Sequence, residues 1–85
     1  MEYLVISFRS RAETVKFSEY LRGVGIRNEI INTPKEAGVG CGLSVKTAKE
    51  NLFAVKKVVF SASKTSFAGF FLVTIISGKR IVKTI

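Results

Sequence analysis

Residues 67–76, FAGFFLVTII, limit the possible folds of this chain more than any other stretch. A helix needs about 20 apolar residues to cross a bilayer, and this run has about half of that. In a strand, successive side chains face opposite sides. Phe70, Leu72 and Ile76 then share one side, and Phe71, Val73 and Ile75 the other. Both sides are apolar, so the sheet that holds this strand needs a cover on each face. Helices of the same chain can supply one cover. The second is expected from another copy, which predicts a homodimer through the sheet or its C-terminal edge.

The rest of the chain supplies the helices and the remaining strands. Residues 3–8 are apolar on both alternating faces and read as a central strand. Ser10 and Glu13 have capping-box spacing, and Phe17, Tyr20, Leu21 and Val24 follow at helical steps until Gly23 and Gly25 stop the helix. Residues 26–32 read as a strand too polar for a sheet centre, hence an edge. Residues 43–46 form a short third strand, and Thr47 reads as the N-cap of a helix with Ala48, Leu52, Val55 and Val59 on its apolar stripe. Residues 61–66 read as a polar loop, residues 68–76 as the strongest strand, and residues 80–85 as a last strand after a turn. This order predicts a single α+β domain over residues 1–85. It is a ferredoxin-like βαββαβ sandwich, an antiparallel sheet with two helices on one face and an extra C-terminal strand.

Composition excludes much of catalysis. Among 85 residues there is no His, and the six acids, Glu2, Glu13, Glu19, Glu29, Glu36 and Glu50, are all Glu and scattered. A Ser-His-Asp triad, a His general base and a His-rich zinc site are therefore absent. The single Cys, Cys41, can form neither an internal disulfide nor a multi-thiolate metal site. No enzyme activity, metal or cofactor is expected. No signal peptide or membrane span is read, so the cytoplasm, where a lone thiol stays reduced, is the expected location.

Unusual residues concentrate around Cys41, in TPKEAGVGCGL over residues 33–43. Gly40 and Gly42 leave the sulfur accessible and allow backbone N–H groups to turn towards one point, a concavity suited to an anion. Lys35 and Lys46 are the nearest cations in sequence, and positive charge near a thiol increases its reactive fraction. The alternative is a cysteine that packs as a small hydrophobe beside turn glycines.

These residues carry a resemblance. The strand Tyr3, Leu4, Val5 and Ile6, the helix start at Ser10 and Ala12, the stretch Ile31, Asn32, Thr33, Pro34 and Lys35, and Cys41-Gly42-Leu43 resemble the selenium/sulfur carrier protein-like family of small bacterial domains. The resemblance covers the first half best and implies that Cys41 carries sulfur or selenium; Gly40, Gly42, Lys35 and Lys46, read from the residues above, are the expected thiolate-stabilising neighbours.

The net charge of +8 points to an acidic partner, such as a protein that donates sulfur or selenium. Lys56, Lys57 and Lys64, or Lys79, Arg80 and Lys83, are candidate docking groups. The ferredoxin-like order is shared with RNA-binding modules, which stack bases on aromatics of the central strands. The third strand has none, so nucleic-acid binding is expected to be weak and purely electrostatic.

Overall fold

The computed structural model describes residues 1–38, 40–61 and 66–85. Strand β1 (Glu2–Phe8) buries Leu4, Val5, Ile6, Ser7 and Phe8. A strand apolar on both alternations is stable only in the middle of a covered sheet, and β1 lies there. It pairs antiparallel with β3 (Leu43–Thr47) on one side and β4 (Phe67–Ile76) on the other. Strand β2 (Asn28–Asn32) joins β3, and β5 (Lys79–Thr84) joins β4, also antiparallel. The order is β2-β3-β1-β4-β5. The polar β2 therefore occupies one edge, as its sequence predicts. The protein is α+β with a five-stranded antiparallel sheet and two helices, and its fifth strand sets it apart from a simple βαββαβ arrangement.

Helix α1 (Arg11–Gly23) starts at Ser10, whose hydroxyl accepts the Glu13 N–H at 3.2 Å. Only this half of the capping box forms, because Glu13 Oε1 is buried without a hydrogen-bond partner. Helix α2 (Leu52–Ser61) starts later than its sequence suggests. Thr47 is the last residue of β3, donates to the Arg27 carbonyl at 2.6 Å and accepts from Asn51 Nδ2 at 2.9 Å. A 3-10 turn over Lys49–Asn51 then leads into α2. Ala48 is consequently exposed and outside the helix, while Val55 and Val59 stay on its buried face. The polar loop expected over residues 61–66 keeps Ser61 in α2, and its residues 62–65 lie outside the described residues.

On the helix side, Phe17 and Leu21 of α1 and Val55 and Val59 of α2 pack on Leu4, Ile6, Phe8, Val45 and Phe70. The Phe8 and Phe17 rings lie 5.0 Å apart and tilted. Each such buried side chain contributes about 1.5–3 kcal/mol of transfer free energy.

The opposite side departs from expectation. Val5, Phe71 and Val73 are buried there, with Tyr3, Ile31, Ala37 and Val82 against them. Part of the cover comes from the chain itself: Pro34 is buried, and a 3-10 turn over Lys35–Ala37 sets Ala37 on this cluster. Phe71 and Val73 on this face are thus buried within the chain itself.

Candidate functional site

The segment over residues 33–42 is tied down at its ends. Thr33 N–H donates to the Gly42 carbonyl at 2.9 Å, and Cys41 N–H to the Phe8 carbonyl at 3.1 Å. Gly40 makes this closure possible: with φ +91°, a Cβ there would stand 2.9 Å from the Phe8 carbonyl oxygen. Any side chain would push the loop off the end of β1. Gly42 has φ +94° with open space around it, so its glycine serves conformation alone.

Cys41 is half-buried. Its Sγ lies 3.6 Å from the Leu43 carbonyl oxygen and 3.8 Å from Thr14 Oγ1, in the first turn of α1. The Thr14 hydroxyl donates to the Ser10 carbonyl at 3.0 Å, so towards the sulfur its oxygen acts as an acceptor. The thiol is held as a hydrogen-bond donor at the junction of the loop with α1. The N–H of Cys41 itself is taken by β1, not turned to its own sulfur.

The cations are placed differently from each other. Lys35 shares a shallow depression of about 320 Å³ with Thr33, Pro34, Gly38, Gly40 and Gly42. Cys41 does not line that depression; its sulfur turns towards α1 instead. Lys46 sits further along β3, 3.6 Å from Glu29 Oε1 and with its Nζ 4.4 Å from the centre of the Tyr3 ring. Of the neighbours read from sequence, the fold gathers Lys35, Gly40 and Gly42 around one hollow and commits Lys46 elsewhere.

Two features of the site are not visible in the sequence. Thr33 Oγ1, Ser44 Oγ and Ser7 Oγ form a chain of hydroxyls with successive spacings of 2.7 Å, joining the loop to the sheet across β3 and β1. Glu36 forms a two-pronged pair with Arg80 of β5, at 2.8 Å to Nη2 and 3.1 Å to Nε. The Arg80 hydrogen bonds, with a backbone N–H of Glu36 itself, hold the Glu36 carboxyl below its ordinary value of 4.5. The first feature joins Ser7 of β1, Ser44 of β3 and Thr33 of the loop, which only the strand register brings together. The second joins residues 44 apart in the chain, and nothing local announces it.

Among the described residues no three potential metal ligands come together, and no helix is long and apolar enough to cross a membrane. The family profile described as "Putative Se/S carrier protein-like" matches residues 3–71. The chain belongs to this family. The matched span runs from β1 into β4 and contains Cys41, whereas β5 lies beyond it. Neither curated proteins nor solved structures give a significant match.

Proposed function

We propose that this Se/S carrier-like protein is a non-catalytic carrier in which Cys41 holds a transferable sulfur or selenium atom. The observation that supports the reading most is the position of the thiol. It is the chain's single cysteine, half-buried on a tethered loop at the start of α1, within the span that matches the family. A carrier thiol must be reached by a donor yet shielded between encounters. The scaffold is read here as a ferredoxin-like unit of β1 to β4, in the order β2-β3-β1-β4, with β5 appended.

The transfer is a thiol–persulfide exchange. The Cys41 thiolate attacks the outer sulfur of a donor persulfide, R–S–SH. A new S–S bond forms at Cys41 as the donor S–S bond breaks, and the donor leaves as R–S⁻, which takes up the proton lost from Cys41. Sulfane sulfur moves without net oxidation, and a perselenide donor follows the same balance. The adduct adds a terminal anion next to the first turn of α1, the end of a helix whose dipole favours negative charge. Lys35, on the hollow it shares with Gly40 and Gly42, is the cation we assign to the site. Carriage needs no general base or cofactor, in keeping with the absence of His.

A second reading, an interaction module in which Cys41 only packs, is favoured by one observation: the thiol already has acceptors in Leu43 and Thr14. Alkylation separates the two. In a carrier, Cys41 of the folded protein reacts with iodoacetamide at neutral pH at a rate within about tenfold of the urea-unfolded chain, and Cys41→Ser costs under about 1 kcal/mol. Reaction only after unfolding, with a loss of several kcal/mol in Cys41→Ser, would establish the packing role.

A further inference from the structure

The hairpin between β4 and β5 fixes which backbone groups of β5 are free. Its two turn residues, Ser77 at φ 51° and Gly78 at φ 77°, both have positive φ, as a two-residue type I′ turn requires. Ile76 and Lys79 close that turn as a hydrogen-bonded pair, and such pairs recur at every second position of an antiparallel ladder. With the observed register, Thr74 with Ile81 and Leu72 with Lys83 are the next ones. Ile85 N–H donating to the Phe70 carbonyl at 3.1 Å continues the series. The N–H and C=O groups of Arg80, Val82 and Thr84 therefore point away from β4, along the outer edge of the sheet.

The side chains of this edge have a pattern. On the helix side, Lys79, Ile81, Lys83 and Ile85 are all exposed, with the two isoleucines 44% and 42% accessible. Strand β5 carries three cations, Lys79, Arg80 and Lys83, and no acid. Arg80 is already neutralised by Glu36, leaving Lys79 and Lys83 on either side of Ile81. Self-pairing of two such edges would bring like charges together on one face, which is destabilising. An incoming strand with acidic side chains opposite Lys79 and Lys83, and an apolar one between them, is complementary in charge and in hydrophobicity.

We infer that the β5 edge is a docking site for an extended acidic segment of a partner protein, which adds to the sheet as a sixth strand. Backbone hydrogen bonds to Arg80, Val82 and Thr84 supply the affinity, and Lys79, Ile81 and Lys83 select a segment in which two acidic residues flank an apolar one at alternate positions. This site goes beyond the carrier reading and holds whatever Cys41 carries.

The test uses the ¹⁵N-labelled full chain and two synthetic peptides of about nine residues, one with two glutamates flanking a valine at alternate positions, the other with lysines in their place. The glutamate peptide slows amide exchange at Arg80, Val82 and Thr84, and its affinity falls as salt is raised. Lys79→Glu with Lys83→Glu weakens it by about tenfold and transfers the preference to the lysine peptide. Thr84→Pro deletes one outward N–H, leaves the ladder to β4 intact and weakens both pairings. Equal binding of the two peptides to the unmodified chain, unchanged exchange at those three amides, or pairing of β5 with a second copy in place of the peptide would overturn the inference.

Discussion

Gly40 and Gly42 look equivalent in sequence but do different things. Gly40 needs a positive φ and also an empty Cβ position, 2.9 Å from the Phe8 carbonyl, whereas Gly42 needs only the positive φ. Gly42→Ala is therefore expected to cost about 1–2 kcal/mol. Gly40→Ala should cost more, about 3 kcal/mol or above, because the loop must also move off β1. Urea denaturation of the two variants checks the ranking; equal losses would mean that the contact with Phe8 relaxes at no cost. The role of Gly40 was hidden at the sequence level because the clash is with a residue 32 positions earlier (40 − 8). The same holds for Thr14: its position in α1 was legible from the Ser10 cap, but its approach to the Cys41 sulfur depends on how α1 lies on the sheet.

At the level of elements, β1, β4 and the edge position of β2 were readable because strand alternation reports directly on how many faces are covered. The start of α2 lies beyond Thr47, whose side chain bonds the Arg27 carbonyl and Asn51 Nδ2 instead of capping a helix. The element with the largest unforeseen role is the loop over residues 33–42. It covers Val5, Phe71 and Val73, and the Glu36–Arg80 pair clamps it to β5. The Glu36 carboxyl is held low in the folded protein, so the pair's contribution to stability is complete above the ordinary 4.5 and is lost as pH falls through the lower folded value. Wild type should then exceed Glu36→Gln in urea midpoint at neutral pH, and the gap should narrow and close as pH falls below 4.5 through the lowered folded value. Glu2, held low by hydrogen bonds from Lys49 and Thr74, adds a dependence of the same sign. For that reason the comparison is made against Glu36→Gln and not against pH alone. Releasing this clamp should also speed alkylation of Cys41, measured at neutral pH in Arg80→Ala, since the loop then opens more often. An unchanged rate would show that the Glu36–Arg80 pair does not limit access to Cys41.

Across the whole molecule, the net charge of +8 is spread over both helices and the strands, and no aromatic of β3 is available to stack a base. Binding to single-stranded RNA is expected to be weak, indifferent to sequence and lost steeply with salt, as a filter-binding titration at two salt concentrations would show. Sequence-selective binding that survived high salt would shift the weight to the interaction-module reading. Beyond charge, a carrier depends on the single thiol of the tethered loop receiving a sulfur atom. The most direct measurement incubates the folded protein with a persulfide-bearing donor, such as a cysteine desulfurase supplied with cysteine, and follows the intact mass. A carrier gains one sulfur atom on Cys41, removable by a reducing thiol and absent in Cys41→Ser. A folded protein whose mass stays unchanged while the same donor loads a small-molecule thiol would contradict the carrier reading.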